Sequence, residues 1–511
     1  MEKELLQELK DEIELFREQT NKFIQKEISV KDFKGFSGGF GSYAQRGGEK
    51  FMLRLRMNQG VMSKDKLAFL CRVCKQHDVK KAHITTCQTI QLHDLSDVDV
   101  PSIMSEALDH DIVCRGGGGD FPRNVMCSPL SGVDPDEYFD VLPYAKAVGE
   151  YLLSIINKYS MPRKLKVAFS NTMRNQTHAN FRDLGFIANS DHTFDVYCAG
   201  GLGNNPKMGV KVGDHIQPKH ILYYVSTMVL MFMAHGNYEN RAKARTRYLQ
   251  DTLGIEALQK EFSEKVALAI ERGEHDVEVE EYHVHKTGDG VIVEDRRIFP
   301  LKHDLYAVHY HPLGGTLAPE KLMELYELIK DMEDVEIRIT PQEGMYIINL
   351  NGEEAKKVLA ATTDGATNKF ETSVACIGAT ICQVGLRDSQ GALIDAITAL
   401  RHAHVCTDYL PRCYFSGCPS SCGTSQIGAL GFQGTVKLVD KKPQPAFKLS
   451  IMGNAHLDGT IFGKEAGEIL QSDIPAFLQD LAIQTNETKL TFLDWATKYP
   501  DQLDLILKKY L

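Results

Sequence analysis

The chain has 511 residues, of which 43% are hydrophobic, so it is long enough to form several packed domains. Its formal net charge of −10 argues against general binding to nucleic acid, whose phosphates attract basic surfaces. The longest apolar stretch, residues 221–234, is shorter than the roughly 20 apolar residues that span a membrane. We therefore predict a globular protein with a buried helix at this stretch and with neither a nucleic-acid nor a membrane partner.

The N-terminal segment alternates charged residues with Leu and Ile at helical spacing. It lacks the apolar core and the cleavage site of a secretion signal, so we predict a helical extension over residues 1–48. The twelve cysteines suit a reducing compartment, where thiols stay free for metal binding or redox chemistry. The expected location is cytoplasmic.

Two parts of the chain follow one plan. Residues 60–92 align without a gap on residues 315–347, and each copy predicts a strand, an amphipathic helix and two further strands. This order is typical of a ferredoxin-like half-domain. The segments that follow each copy also correspond, because Cys127 and Cys376 occupy equivalent places before similar strands.

The repeat predicts an α+β, internally duplicated protein in which ferredoxin-like half-domains alternate with α/β domains. After the extension, the expected domains are a first half-domain at 49–115, a first α/β domain at 116–300, a second half-domain at 301–365 and a second α/β domain at 366–511. Duplicated domains commonly build a site at the seam between the copies.

Basic residues recur in the first half of the chain. Alternation along a strand places Arg54 and Arg56 on one face, and Lys164 and Lys166 on one face of another strand. Neighbouring like charges repel, so such pairs favour an anion between them; a solvated strand face is the alternative. The basic run at 240–248 resembles a surface helix, with Asn240 and Arg241 as its strongest candidates for a ligand contact.

Two other motifs have simple structural interpretations. Cys71 and Cys74 resemble a redox pair, but they share the apolar face of the first repeat's helix, where cysteine acts as a small hydrophobe. The glycine-rich segment 199–206 lacks the spacing and the following helix of a dinucleotide loop, so we interpret it as a turn beside a ligand.

Four cysteines near the C-terminus form two tight pairs. Cys376 and Cys382 are separated by five residues, and Cys418 and Cys422 by three. Thiolates bind zinc and iron–sulfur clusters, but zinc pairs are usually two to four residues apart. A four-iron cluster tolerates the wider gap; a zinc module and buried, unliganded thiols are the alternatives.

These motifs resemble a known family. "CIGATIC" at 376–382 together with "SGCPSSCGTSQIGALGFQG" at 416–434 is similar to the signature of assimilatory, ferredoxin-type sulfite and nitrite reductases, which depend on siroheme and a 4Fe-4S cluster. The resemblance extends from about Phe51 to Lys464. It implies that the α/β domains bind the two cofactors, that all four cysteines hold the cluster, and that Cys422 is also the axial ligand of the siroheme iron.

The resemblance also implies a substrate site formed by Arg54, Arg123, Lys164 and Lys166. Lysine at the position of Lys166 resembles the sulfite enzymes, whereas asparagine there resembles the nitrite enzymes. We therefore expect six-electron reduction of sulfite to sulfide. Reduction of nitrite to ammonium is the alternative within the family, and a non-catalytic iron–sulfur or zinc protein is the alternative outside it.

The cofactor contacts are expected mostly in the first half of the chain. At Cys87 the family has an arginine, so one cationic contact to siroheme is lost here. The candidate siroheme contacts besides Cys422 are Arg56, Thr86, Gln88, Gln91, His93, Asn180, Arg182, Gly200, Gly201, Asn240 and Arg241.

No flavin or nicotinamide fingerprint is evident in the sequence, so electrons are expected from another protein. Ferredoxin is the donor that the resemblance implies, and a separate flavoprotein is the alternative. Two basic segments, 64–81 and 507–511, are candidates for donor docking.

Overall fold

The computed structural model describes residues 3–511, so the first two residues of the predicted N-terminal extension lie outside the described part. Within this range the strands form four sheets of five strands each. The sheets come as two matched pairs, which confirms the predicted α+β class and the internal duplication.

The extension and the first half-domain pack as one unit. On the first helix, apolar residues recur at helical spacing and are buried in the core of the half-domain; they are Leu9, Ile13 and Phe16. Its elements are α1 (Lys3–Ile24), α2 (Val30–Ser37), β1 (Ser42–Ala44), β2 (Phe51–Arg56), β3 (Val61–Met62), α3 (Lys64–Gln76), β4 (Ala82–Ile84), β5 (Thr89–Leu95) and α4 (Asp99–Leu108).

The second half-domain repeats this order. Its elements are β11 (Ile298–Pro300), β12 (Tyr306–Tyr310), β13 (Thr316–Leu317), α9 (Pro319–Ile329), β14 (Glu336–Ile339), β15 (Met345–Leu350) and α10 (Gly352–Ala361). The first α/β domain lies between the two half-domains in the chain.

The two half-domains exchange their shortest strands. Strand β13 pairs with β4, where Thr316 lies opposite His83, and β3 pairs with β14, where Val61 lies opposite Arg338. The sheet orders are therefore β1-β2-β5-β4-β13 and β11-β12-β15-β14-β3. One apolar core continues through both half-domains, so they form a single intertwined body.

The first α/β domain contains the predicted buried helix. Its elements are β6 (Met126–Cys127), α5 (Leu142–Ser154), β7 (Val167–Ser170), β8 (Leu184–Ala188), β9 (Phe194–Cys198), β10 (Val210–Ile216), α6 (Ile221–His235), α7 (Leu249–Leu253) and α8 (Ile255–Arg272). Helix α6 is buried along most of its length. Among residues 3–511, no helix has both the length and the apolar character to cross a bilayer.

The second α/β domain has the same strand order. Its elements are β16 (Val374–Ala375), α11 (Ser389–His402), β17 (Cys413–Ser416), β18 (Leu430–Val439), β19 (Lys442–Ile451), β20 (Lys464–Leu470), α12 (Ile474–Thr488), α13 (Phe492–Lys498) and α14 (Pro500–Tyr510).

The cores of the two α/β domains match in detail. In each sheet the first three strands are parallel and the last two antiparallel. The rings of Phe169 and Phe186 stack at 4.6 Å in the first domain, and those of Phe415 and Phe432 stack at 4.4 Å in the second. Equivalent aromatic pairs therefore fill equivalent positions of both cores.

Candidate functional site

The two halves of the chain meet along a seam, and the turn that joins β4 to β5 lies in this seam. The Thr86 hydroxyl donates a hydrogen bond to the carbonyl oxygen of Cys422 at 2.9 Å. The Asn124 amide, just before β6, donates to the carbonyl oxygens of Cys87 and Gln88 at 3.1 and 3.2 Å. The first half of the chain thus contacts the second cysteine pair directly.

Strand pairing brings the two cysteine pairs together. Because β16 and β17 are parallel neighbours, the residues that follow them lie at the same edge of the sheet. Cys376 directly follows β16, and Cys418 lies two residues beyond β17. The backbone N–H of Gly417 donates to Cys376 Sγ at 3.2 Å, and the Ser389 hydroxyl lies 3.2 Å from the same sulfur.

Two of the four thiols have raised pKa values. Burial raises the pKa of Cys376 to about 12, and the neighbouring Cys422 adds to the effect. Burial also raises the pKa of Cys418, with smaller contributions from Cys422 and Cys382. All four cysteines are free, and none is fully buried. Four soft ligands, two of them with raised pKa values and one with hydrogen bonds to its sulfur, fit a metal cluster that supplies the balancing positive charge.

The four predicted substrate residues also converge. Since β6 and β7 are parallel, the segments that precede them share an edge, and these segments carry Arg123, Lys164 and Lys166. Arg54 and Arg123 both donate to the carbonyl oxygen of Gly117. Burial lowers the pKa of Lys164 well below its usual value, and Arg245, Lys166 and Arg123 lower it further. Cys422 opposes this shift, so Lys164 lies near the cysteine pair.

Asp183 anchors this group of cations, and the sequence analysis did not identify it. Its fully buried carboxylate accepts a hydrogen bond from the Lys166 backbone N–H at 2.8 Å and an ion pair from Arg245 at 2.9 Å. The Thr246 hydroxyl donates to the same carboxylate. The sequence held one indication of this role, because Asp183 is an acidic residue that directly precedes a buried strand and lies among basic motifs.

Several cationic side chains keep unused hydrogen-bond donors. Within residues 3–511, no partner is found for Arg56 Nε, Arg123 Nε, Arg245 Nε and Arg247 Nη1, although all four atoms are buried. Buried donors without acceptors are costly, and three of these arginines have cationic neighbours: Arg123 lies near Arg54 and Lys164, and Arg245 and Arg247 lie near each other. The residues present therefore fit a polyanionic cofactor such as siroheme.

Gln88, one of the predicted cofactor contacts, is bound by backbone groups of the protein itself. Its side chain is fully buried, and its amide nitrogen donates to the carbonyl oxygens of Cys127 and Ile339, both at 2.8 Å. Its amide oxygen accepts from the Cys127 backbone N–H at 2.9 Å. Because backbone groups use both ends of the amide, Gln88 joins the two halves of the chain and has no free group for a cofactor.

Asn240 and Arg241, two further predicted contacts, both lie at the surface. Arg241 forms an ion pair with Asp120 at 2.6 Å, and Asn240 accepts a hydrogen bond from the Ala242 backbone N–H at 3.1 Å. The segment forms short turns and not the expected helix. Arg245, later in the same run, is the residue that reaches the interior beside Lys164.

The remaining predicted contacts on β2 and β5 are buried. Arg56 donates to the carbonyl oxygen of Arg115 at 2.9 Å, and Gln91 pairs with Arg54 across the sheet. The ring of His93 lies 3.2 Å from the Gln45 amide oxygen. Burial and the nearby Lys81 lower the pKa of His93 to about 3, so its imidazole is neutral.

The predicted contacts in the first α/β domain lie close to the seam. Arg182 Nε donates to the Thr177 carbonyl oxygen at 2.9 Å, and Asn180 donates to the Thr460 hydroxyl at 3.0 Å. A side chain at Gly200 would meet the Phe181 backbone at 2.7 Å. Gly201 forms two backbone hydrogen bonds with Lys207, both at 2.9 Å, which close the glycine-rich turn.

That glycine-rich turn contacts the segment after the second cysteine pair. The Gly203 backbone N–H donates to the Gln426 amide oxygen at 2.6 Å, and the Gln426 amide nitrogen donates back to the Gly203 carbonyl oxygen at 3.0 Å. Two segments from opposite halves of the chain are thereby held together.

The cysteines outside the two pairs differ in their ionisation. Burial opposes ionisation of Cys87, but Lys166, Arg182 and Arg54 outweigh it and lower the pKa of Cys87 to about 6. On the inner side of α3, burial raises the pKa of Cys71 to about 11 and that of Cys74 to about 12. The α3 thiols thus behave as small apolar groups, whereas Cys87 is a thiolate near neutral pH.

Family models match more than half of the chain. The nitrite and sulphite reductase 4Fe-4S domain matches residues 118–269. The nitrite/sulfite reductase ferredoxin-like half domain matches residues 43–110 and again residues 300–364. The two matches of the half domain correspond to the two half-domains of the fold.

Individual proteins resemble the chain over most of its length. A ferredoxin–nitrite reductase of Synechococcus elongatus is 25% identical over 85% of this chain and 86% of its own length. A sulfite reductase [ferredoxin] of Mycobacterium tuberculosis is 26% identical over 75% of this chain and 70% of its own length. Relatives named for either substrate are therefore similarly distant.

A solved structure has the same fold. The NirA protein of Mycobacterium tuberculosis superposes with a TM-score of 0.77 at 21% identity, over 92% of this chain and 91% of its own. These findings agree with one another. Both family models match the chain, and thiols and cations converge at the seam. The chain belongs to the nitrite and sulfite reductase family, and it is an oxidoreductase with siroheme and a 4Fe-4S cluster as cofactors.

Proposed function

We propose that this enzyme reduces sulfite to sulfide with six electrons. The observation that carries the proposal is the pair of lysines, Lys164 and Lys166, set among arginines beside Cys422. Sulfite is doubly charged near and above neutral pH, so a pocket with this excess of cations favours it over singly charged nitrite.

The cofactors have ligands in this arrangement. Cys376, Cys382, Cys418 and Cys422 would hold the cluster, and Cys422 would also bind the siroheme iron. When bound, the two cofactors would supply the electrons for reduction of the anion, at a potential that their ligands and surroundings would set. Arg182, Arg245 and Arg247 would supply positive charge for the siroheme carboxylates.

The chain's own residues bind the substrate and move protons. The Arg123 guanidinium donates both Nη groups to the carbonyl oxygens of Gly117 and Gly119, so its buried and unpartnered Nε is the donor left for an oxyanion oxygen, and the neighbouring Arg54 adds positive charge. Because its pKa is depressed, the Lys164 ammonium gives up a proton from Nζ more readily than an ordinary lysine. Each sulfite oxygen leaves as water, so protons must reach the oxygens that these residues contact.

Nitrite reductase is the second candidate. Several relatives carry that name, including those of Synechococcus elongatus and Haloferax mediterranei. The names of these relatives also support ferredoxin as the electron donor of this chain, and a separate flavoprotein remains the alternative donor.

A cytoplasmic location and the domain boundaries predicted from the sequence are part of the proposal.

The test is a comparison of catalytic efficiencies. Holoenzyme purified without oxygen is supplied with reduced methyl viologen, and kcat/KM is measured for sulfite and for nitrite. We expect the value for sulfite to be the higher. A strong preference for nitrite would replace the proposal by the second candidate.

A further inference from the structure

Glu343 is a buried acid in the second half-domain, apart from the substrate residues. It lies in the turn between β14 and β15 and is only 1% exposed. The gapless alignment of the repeat places it opposite Gln88, which lies in the equivalent turn of the first half-domain. Both residues have a left-handed backbone, with φ of 65° at Glu343 and 54° at Gln88. The two side chains therefore start from the same geometry.

The two side chains also hold equivalent strands. Gln88 accepts a hydrogen bond at 2.9 Å from the backbone N–H of Cys127, the last residue of β6. Glu343 accepts one at 2.8 Å from the backbone N–H of Ala375, the last residue of β16. Strands β6 and β16 are the first strands of the two α/β sheets, so each side chain ties its half-domain to the corresponding sheet.

In the first half-domain the amide donates as well as accepts. Gln88 Nε2 donates to two carbonyl oxygens, one of them that of Ile339 at the end of β14. The counterpart of Ile339 in the repeat is Ile84 at the end of β4. A side chain at Gly315 would lie 3.1 Å from the Ile84 carbonyl oxygen and 3.3 Å from Glu343 Oε2, so both oxygens border one small space. An ionised carboxylate has no hydrogen to donate there, whereas a protonated carboxyl has one.

The surroundings of Glu343 favour its neutral form. Among residues 3–511, its only basic neighbour within ion-pair distance is His83, whose Nε2 lies 3.9 Å from Oε1. Burial lowers the pKa of His83 well below its usual range, and His93 and Lys81 lower it further, so the imidazole is neutral. Burial raises the pKa of Glu343 well above its usual range, and Cys422 adds to this against the opposing hydrogen bond from β16.

We propose that Glu343 is a carboxylic acid that stays protonated at neutral pH and serves as a positioning residue for the cluster, binding the end of β16 as an amide would. One carboxyl oxygen accepts from Ala375, and the protonated oxygen donates to a backbone carbonyl oxygen of the seam. Ala375 directly precedes Cys376, so the proposal rests on the ligand role of Cys376 proposed above. The strand that presents this ligand is thereby fixed without a negative charge. An ionised carboxylate here would oppose the arrival of electrons, because local charge helps to set the potential of a cluster.

Infrared spectroscopy of the holoenzyme tests the protonation directly. A protonated carboxyl has a C=O stretching band that is separate from the bands of an ionised carboxylate and that shifts in D₂O. We expect this band in the difference spectrum of wild type minus Glu343→Gln at neutral pH. Glu371→Gln is the matched control: burial disfavours the charge of Glu371, but an ion pair with Arg401 at 2.6 Å outweighs this and lowers its pKa. The control difference spectrum should lack the band, and its absence for Glu343→Gln would overturn the proposal.

The rate at which a chelator removes iron from the holoenzyme tests the positioning role. Glu343→Gln should lose iron within about twofold of the wild-type rate, because the amide accepts and donates as Gln88 does. Glu343→Ala should lose iron at least about fivefold faster, because the Ala375 N–H is left without a partner. Equal rates in wild type and Glu343→Ala would contradict the positioning role. A Glu343→Gln rate as high as that of Glu343→Ala would show that a negative charge, and not a neutral acid, holds the strand.

The other outcomes are also decisive. If Glu343→Ala yields no holoenzyme, the infrared band and the chelation rate of Glu343→Gln decide. A Cys376→Ser variant with an unchanged cluster would remove the ligand assignment and overturn the positioning role with it. Wild-type enzyme that reduces neither anion with viologen would refute the proposed function alone, because neither measurement on Glu343 depends on turnover.

Discussion

Replacing Lys166 by Asn tests the origin of substrate preference. The Lys166 backbone N–H bonds to Asp183 at 2.8 Å, and this bond is kept in the variant, so only the side-chain charge is removed. Two unit charges about 4 Å apart interact by about 4 kcal/mol at an effective dielectric constant of about 20. Doubly charged sulfite gains twice the electrostatic energy that singly charged nitrite gains from the lysine. Removing the lysine can therefore lower the preference for sulfite over nitrite by at most the energy of one such pair.

The thiolate of Cys87 lies close to Lys166 and offsets part of its charge, so the expected loss is smaller. A charge-assisted hydrogen bond contributes about 1.5–3 kcal/mol, which corresponds to a shift of about 10- to 150-fold in the ratio of kcat/KM for sulfite to that for nitrite. Both efficiencies are measured with methyl viologen, and Lys219→Asn on an exposed turn is the control. A ratio that changes less than about twofold would refute the role given to Lys166.

Three further predictions concern groups around the seam. In cofactor-free protein, alkylation of Cys87 should rise with pH and reach half its maximal rate near pH 6, since the thiolate is the nucleophile; a midpoint near 9 would contradict its cationic surroundings. Gln88→Ala should lower the melting temperature of cofactor-free protein, because each buried group left unpaired costs about 1–3 kcal/mol, and an unchanged temperature would contradict its joining role. Cys74→Ala should leave turnover nearly intact, and loss of electron uptake in a folded variant would make α3 a redox site.

The sequence predicted the large-scale organisation because the repeat leaves long, periodic traces. Helix and strand spacings survive in both copies, and the paired cysteines have a spacing that few other sites share. The exchange of β3 and β13 was not predictable in this way, because strands of two residues carry no periodicity. Their partners are set by the packing of the half-domains.

The contacts of charged side chains were harder to predict from the sequence than the large-scale organisation. The run at 240–248 contains several cations, and only the fold separates Arg241, paired with Asp120 at the surface, from Arg245 beside Lys164. Gln88 was a plausible polar contact in a promising motif, yet the backbone of the other half uses its amide. Polarity marks a residue as able to bind, whereas tertiary contacts decide what it binds.

The central claim is that the thiols at the seam hold a cluster and a siroheme in one centre. The most direct test is the visible spectrum together with metal and sulfide analysis of protein purified without oxygen. We expect an intense chlorin-type band in the red, with about five irons and about four acid-labile sulfides per chain, and the loss of both signals in Cys422→Ser. Colourless protein with one bound zinc, or a Cys422→Ser variant with both signals unchanged, would contradict the account.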